Sequence, residues 1–457
     1  MIQPPKQTVL VIGYVWPEPA SSAAGAHMLS LLKLFRQQNW RVIFATPAQT
    51  TEFQVDLSSL QIETASIALN DSSFDEFVKA LNPHIVLFDR FMMEEQFAWR
   101  VEQNCPEALR ILDTEDLQCL RNARQTALKR QQTLTVEQTL TAKDLCSDLA
   151  KREIAAILRS DLSLIISDYE IDLLTNYYRV DNALLHHLPF MLDLSTLQST
   201  INHWPSFQER QHFITIGNFR HAPNWDSVLY LNQIWPQIRQ QLPQAELHIY
   251  GSYAPKKATA LHNPKNGFLV KGRADDVQQV LTQARICLAP LRFGAGIKGK
   301  LIDAMQAGTP SITTSIGVEG MMQNEKNNDE QNKLGQNKPN QNKDAQNKNV
   351  QNKETQTNSA TQWPGLVANS PQTIIQHAVS LYQNEALWSA KQQQIEPLLT
   401  QRYDAQKLGP QLIDKIRLQQ QNLSEHRLQN FTGAMLRHHS LQSTRYLSRW
   451  IELKNKV

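Results

Sequence analysis

The segment Leu288-Ala-Pro-Leu-Arg-Phe-Gly-Ala-Gly-Ile-Lys-Gly-Lys-Leu-Ile-Asp-Ala-Met-Gln-Ala-Gly-Thr-Pro-Ser-Ile-Thr-Thr314 decides how this chain is read. It runs strand, glycine loop, helix, glycine stop, strand. Ile286 to Leu288 end an apolar run suited to a buried parallel strand. Gly294, Gly296 and Gly299 let the backbone turn sharply and present N–H groups to a ligand. A helix expected over about Lys298 to Ala307 points its N-terminus at that loop. Lys298 and Lys300 sit at this end, where cations are disfavoured unless an anion is present, so the pattern asks for a phosphate. Gly308 stops the helix, and Pro310 to Thr314 form the next strand.

Upstream, His212 to Gly217 reads as a strand, Asn218 to Asp226 as a loop and Ser227 to Gln240 as a helix. Strands follow at Glu246–Gly251 and Gly267–Gly272, then a helix from Asp275 to Gln283. Asn224 and Asp226 also suit helix capping. The first half repeats the alternation. Thr8–Gly13 is a strand, Tyr14–Gly25 a turn-rich loop, Ala26–Gln38 a helix and Arg41–Thr46 a strand. This is a βαβ unit, which makes the sheet parallel. A weak strand at Gln61–Ile67, a helix at Ser73–Leu81, a strong strand at His84–Asp89, a helix at Glu94–Glu102 and a strand at Ala108–Asp113 continue it.

Asp113-Thr-Glu-Asp116 stands at a strand's C-terminal end, where open α/β sheets place ligands. A carboxylate cluster there suits a polar acceptor or proton transfer. Asp113 or Thr114 equally fits an N-cap for a helix over Leu117–Arg130. Residues 117–159 contain no glycine and read as one or two long helices inserted before the strand Leu162–Ser167. Leu184 to Pro189 closes the half. His186 and His187 lie there, but neighbours on a strand point to opposite faces and make no metal pair. Ile201–Gln211 is polar and reads as a linker.

A chain of 457 residues implies two or three domains. The net charge of +3 gives no electrostatic case for nucleic acid. Cys105, Cys119, Cys146 and Cys287 form no metal spacing and are expected as reduced thiols. The polar N-terminus is no signal peptide and no apolar run reaches membrane-span length, so a soluble, cytoplasmic protein is expected.

The segment Gly294 to Met305, with Ala307-Gly-Thr-Pro310 and Thr314-Ser-Ile-Gly-Val-Glu-Gly320, resembles the donor site of GT-B glycosyltransferases, especially glycosyltransferase family 4 (group 1). The resemblance is better in the second half, over roughly Phe213 to Gly320. It implies an α/β fold of two Rossmann-like doubly wound domains facing a cleft. Residues 1–205 would be the acceptor-side domain, with the helical insertion at about 117–159. Residues 206–400 would be the donor domain, and 401–457 would be helices returning to the first domain or to a membrane surface.

The function implied is transfer of a sugar from a nucleotide-diphosphate sugar to a saccharide or lipid-linked acceptor, with retention of configuration, in cell-envelope or surface polysaccharide synthesis. The resemblance places the donor at Gly294, Ala295, Gly296, Ile297, Lys300, Leu301 and Asp303, with Gly217, Gly317, Glu319 and Gly25 around it. Lys298, Arg220, Asp113 and Asp116 are the catalytic candidates. Lys298, Lys300 and Arg220 would stabilise the leaving diphosphate, a scheme that requires no metal or other cofactor. Asp303 would accept hydrogen bonds from the ribose hydroxyls. Ala24 and His27 belong to the matching first loop, where a tight turn and a surface histidine are the plain alternative. The sequence departs from the family at three places. Ala295 replaces the first of two glutamates separated by seven residues, with Asp303 at the second, Asn218 replaces an arginine, and Gln118 replaces a histidine. A nucleotide-sugar epimerase, a phosphorylase or hydrolase, and a non-catalytic nucleotide-sugar-binding protein are the other readings.

Between about 322 and 363, Gln-Asn-Lys recurs with a five-residue period. So polar a segment cannot offset its ordering entropy and is expected as a disordered insertion. Gly365–Ala368 resumes a strand, and Pro371–Leu399 reads as two amphipathic helices. The tail, His426 to Val457, combines Leu436, Leu441, Leu447, Trp450 and Ile451 with Arg427, Arg437, Arg445, Arg449, Lys454 and Lys456, beside His438 and His439. From about Ser443 it reads as a basic helix with Leu447, Trp450 and Ile451 on one face. That face suits packing against the first domain, or peripheral contact with the inner face of a cell membrane.

Overall fold

The computed structural model describes residues 7–131, 134–136, 139–322, 362–438 and 442–455. Two parallel sheets organise it. The first has seven strands in the order β3-β2-β1-β4-β5-β6-β7, where β1 is Thr8–Ile12, β2 Arg41–Thr46, β3 Glu63–Ser66, β4 Ile85–Asp89, β5 Leu109–Asp113, β6 Leu162–Ile165 and β7 Leu185–His187. The second has six, β10-β9-β8-β11-β12-β13, where β8 is Gln211–Ile216, β9 Leu247–Tyr250, β10 Phe268–Gly272, β11 Ala284–Ala289, β12 Ser311–Thr313 and β13 Gly365–Val367. This is the expected pair of doubly wound domains.

Apolar runs become central strands because both faces of each sheet are covered. Leu10 and Ile12 enter one core cluster while Val9 and Val11 enter the cluster on the other face. In each sheet the strand order reverses beside the first strand, between β1 and β4 and between β8 and β11. Crevices at such reversals, outside the carboxyl ends of the strands, are where open α/β sheets take ligands. The loops after β1, β4, β5, β8 and β11 are therefore the ones to inspect.

The structure revises several local expectations. The described part of residues 117–159 forms three helices, Gln118–Gln131, Ala142–Leu145 and Asp148–Arg159, in the crossover from β5 to β6. The first of these is not capped by Asp113 or Thr114. Its opening N–H groups donate instead to carboxylates from elsewhere: Leu117 to Glu170 and Gln118 and Cys119 to Glu153. The supposed linker ends in a fixed residue. Arg210 is fully buried and donates to the carbonyls of Pro205 and Ala307 and to the Thr309 hydroxyl. Pro371–Leu399 forms three helices, Pro371–Gln383, Glu385–Gln392 and Ile395–Arg402, in place of two.

Beyond them, the helix Ala405–Gln421 packs Leu412, Ile413 and Ile416 into the core of the first sheet. The Gln-Asn-Lys repeat, with residues 323–361, lies outside the described residues, as do His439, Leu441 and Lys456. Trp363, just after the repeat, is buried in the second domain. Among the described residues no helix is long and apolar enough to cross a membrane.

Candidate active site

The loop after β11 meets the first domain at two glycines. Gly296 has φ of 62°, and a Cβ there would stand 2.7 Å from the Asp116 Cβ. A Cβ on Gly299, where the helix Gly299–Gln306 begins, would stand 2.3 Å from the Ala23 Cβ. Ala23 opens the first long helix, Ala23–Gln37, so the loops after β1, β5 and β11 converge on one crevice.

The backbone groups of the glycine loop already have partners. Gly296 N–H donates to Glu170 Oε1 at 2.9 Å, and Lys298 Nζ donates to the Gly296 carbonyl at 2.6 Å. The Gly294 carbonyl accepts from Arg124 at 2.8 Å. Arg124 also forks onto both oxygens of Glu319, at 2.7 Å each, and lies over the Tyr169 ring. Lys298 is 7% exposed. Burial lowers its pKa to about 8, with Glu319 and Glu170 among the carboxylates working the other way. Burial raises the Glu170 carboxyl to about 8, and Asp116 adds to that shift. Glu170 and Arg124 belong to the first domain, so the donor-type loop is held shut from the opposite wall.

Further along the same helix, burial lowers Lys300 to about 8 and raises Asp303 to about 7, each partly opposed by the other's charge. Ile297 and Leu301 join an apolar cluster that takes in Ile166 and Phe190 of the first domain as well as second-domain residues. Ala295, standing where the family has a carboxylate, packs against the apolar core of the first domain. Gly317 N–H donates to Thr314 Oγ1 at 3.1 Å as part of a helix cap.

The first-domain wall is a cluster of charges. Asp113 is buried, and desolvation, then the neighbouring Asp89, raises its carboxyl to about 7. His27 Nε2 lies 3.9 Å from Asp113 Oδ1, and burial holds that imidazole down at about 4. His27 is therefore not the surface histidine of the plain alternative. Asp89 accepts the Tyr14 N–H at 2.9 Å. Asp116 pairs with Arg121 and stays below the ordinary carboxylate range, although burial works against it. Arg90 and Glu115 have φ of 70° and 57°. Side chains other than glycine rarely adopt such values outside constrained loops. His221, from the loop after β8, adds to the cluster: desolvation lowers it, as do Arg121 and Lys300, while Asp116 opposes them.

Other candidates stand apart. Arg220 is exposed, with its guanidinium 3.7 Å from the centre of the Tyr253 ring. Tyr253 in turn donates to Glu18 across the crevice at 3.1 Å. Gly25 is pressed by the Glu18 backbone, 2.6 Å from where a Cβ would be, and its N–H donates to Ser22 Oγ, so it shapes the first loop. Gly217 similarly accommodates the Asn224 side chain. Asp226 pairs with Arg292 at 2.9 Å, outside the helix cap.

Among the described residues, one grouping has metal-ligand character: His212, Glu246 and His248. His212 and Glu246 stand at the amino ends of β8 and β9, the end opposite the crevice. His212 Nδ1 accepts the Glu246 N–H at 3.2 Å, which leaves the ring proton on Nε2, and Arg285 and Arg239 add positive charge. That arrangement does not suit a cation.

Sequence reading missed Glu170, Glu153, Arg90, Arg121, Arg124 and His221. His221 and Arg90 carried a usable signal, their places in the loops after β8 and β4.

The comparisons agree with this architecture. Residues 210–340 match the family described as Glycosyl transferases group 1. An uncharacterized 44.6 kDa protein in the cps region of Klebsiella pneumoniae is 30% identical over 117 residues, a stretch spanning 24% of this chain and 30% of that relative's length. Sucrose-phosphate synthase from Thermosynechococcus elongatus superposes with a TM-score of 0.60 at 12% identity, over 90% of this chain and 99% of its own. Anabaena HepE in complex with UDP and glucose gives 0.58 at 11% identity, over 90% and 99%. WaaG, a glycosyltransferase involved in lipopolysaccharide biosynthesis, gives 0.54 at 12% identity, over 89% and 98%. The chain has the GT-B fold, and residues 210–340 within it are similar to the group 1 glycosyl transferases.

Proposed function

We propose that this chain transfers a glycosyl group from a nucleoside-diphosphate sugar to a saccharide or lipid-linked acceptor. The observation that carries the reading is where the family match falls. It spans residues 210–340 and so includes the glycine loop, Lys298, Lys300 and Asp303, the stretch that closes on the first-domain charge cluster. HepE was solved with UDP and glucose on the same fold, which supports a uridine donor as the first to try. WaaG, described as acting in lipopolysaccharide biosynthesis, supports a role in surface polysaccharide synthesis.

The diphosphate sits at the amino end of the helix Gly299–Gln306. As the sugar leaves, charge develops on the diphosphate oxygen. The loop N–H groups, the helix dipole, Lys298 and Lys300 stabilise it there. Asp303, one turn in, accepts from the ribose. The acceptor enters over the Asp113–Asp116 loop, where Asp113 and His27 can orient a hydroxyl and Asp116 is held ionised by Arg121. Transfer proceeds with retention, in the cytoplasm, and no residue of this scheme requires a metal.

The experiment is a thermal-shift screen of nucleotide sugars followed by a transfer assay with saccharide and lipid-linked acceptors. Donor-dependent transfer, lost in Lys298→Ala and strongly reduced in Asp303→Ala, is the expected result. Isomerisation of the donor without acceptor would assign the fold to an epimerase. Sugar release dependent on phosphate or water would assign it to a phosphorylase or hydrolase. Binding without turnover would leave a nucleotide-sugar-binding protein, and no heat of binding with any nucleoside diphosphate would overturn the reading.

A further inference from the structure

Every large apolar side chain that is more than half exposed, among the described residues, lies between positions 418 and 453. Four of them are on the terminal helix, Gln442–Asn455. At 100° per residue, Tyr446, Trp450 and Leu453 form one stripe with Leu447 beside it. They are 63%, 58%, 66% and 57% exposed.

The opposite side of this helix holds it to the first domain, and that side is polar. Ser448 is buried and accepts from Arg100 at 3.3 Å. Glu452 accepts from the Ser72 hydroxyl at 2.7 Å and lies 4.0 Å from Arg100. A helix whose free side meets only water has the reverse pattern. The apolar stripe is flanked by cations. Arg449 and Lys454 are exposed, and Lys454 Nζ lies 5.3 Å from the centre of the Trp450 ring. Glu452 is the helix's only acid, and it faces inward.

We infer that this outward face docks on a membrane surface bearing anionic headgroups. Tyr446, Leu447, Trp450 and Leu453 enter the boundary between headgroups and acyl chains, where aromatic side chains are at home. Arg449 and Lys454 lie at the level of the lipid phosphates. A second copy of this chain is a poorer occupant. Two such faces brought together would set Arg449 and Lys454 of each copy against the other's, with no outward acid on either helix to pair them. The inference goes beyond the glycosyl-transfer reading and does not depend on it.

The test uses the full chain, sedimented with vesicles of phosphatidylcholine alone and of phosphatidylcholine mixed with phosphatidylglycerol. Binding to the mixed vesicles, weakened by salt, is expected. Trp450→Ser with Leu453→Ser should weaken it by about tenfold or more. Arg449→Glu and Lys454→Glu should each weaken it roughly fivefold or more. The urea unfolding midpoint should be unchanged in these three variants, which separates a lost membrane face from a lost fold. The proposal is overturned if the wild-type chain binds neither vesicle, or if the Trp450→Ser/Leu453→Ser protein binds as well as wild type. It is also overturned if sedimentation velocity shows a dimer that Trp450→Ser converts to a monomer while vesicles bind neither form. A chain inactive toward every nucleotide sugar would leave the membrane result intact.

Discussion

Glu170 Oε1 accepts the N–H of Gly296 at 2.9 Å, placing a first-domain carboxyl on the loop that a donor diphosphate would occupy. The same oxygen accepts the Leu117 N–H at 2.9 Å, while Oε2 is buried without a partner. One carboxyl thus closes two backbone donors, one on each side of the crevice. A diphosphate that takes the Gly296 N–H must displace it. Glu170→Ala should therefore tighten nucleoside-diphosphate binding several-fold. It should also lower the unfolding free energy by about 1–3 kcal/mol, because buried N–H groups lose their acceptor. Calorimetry and urea unfolding measure the two. Weaker nucleotide binding would show that Glu170 supports the donor site instead of competing for it.

The approach of Gly299 to Ala23 gives a reciprocal test. Gly299→Ala puts a methyl group 2.3 Å from another, a distance real Cβ atoms do not adopt. The two loops must separate, at a cost of about 1–3 kcal/mol. Ala23→Gly removes the opposing methyl, so the double variant should regain most of the loss. A double variant no better than Gly299→Ala would mean that the backbones do not approach in this way.

Much of the fold was legible because buried parallel strands are continuous apolar runs. Thr8–Ile12, Ile85–Asp89 and Ala284–Ala289 show this, and the glycine loop after the last of them marks the crevice. The opposing wall was not legible. Glu170 reaches Gly296 across 126 residues and Arg124 reaches Glu319 across 195, and no local pattern distinguishes them from surface charges. Arg210 was hidden for a related reason: a polar stretch reads as linker whether or not its arginine is buried among carbonyls. On the terminal helix periodicity found the apolar stripe but not its direction. Leu447 and Trp450 are exposed, while Ile451 is partly buried.

Arg124 and Glu319 form a nearly enclosed ion pair, with side chains 5% and 14% exposed. Removing one partner strands the other in the domain boundary. Each of Arg124→Ala and Glu319→Ala should lower stability by roughly 3–5 kcal/mol. The double variant should lose less than the sum, since neither charge is then left alone. Strict additivity in a double-mutant cycle would show that the pair is solvent-exposed in solution and does not hold the crevice shut.

The pH dependence of stability has a sign that follows from the buried carboxyls. Burial raises Glu170 to about 8 and Glu153 and Asp303 to about 7, from ordinary values near the acid end. Between those ordinary values and the raised ones the folded chain holds protons that the unfolded chain has released. Their stabilising contribution is complete below about pH 4 and is lost as pH rises through 7 to 8, by about 3–5 kcal/mol for a group shifted this far. Lys298 and Lys300, lowered to about 8, act in the opposite sense, recovering stability as pH rises further towards their ordinary value. Below about pH 6.5 the buried His27, His186, His187 and His221, lowered to about 4, act against this fall, so urea midpoints should fall from about pH 6.5 to pH 8 and level or rise above it. Glu170→Gln keeps an acceptor for Gly296 but has no proton to lose, so it should flatten part of the fall. A midpoint that climbs between pH 6.5 and pH 8, or a Glu170→Gln protein with the full wild-type slope there, would rule out a proton held at this position in the folded chain.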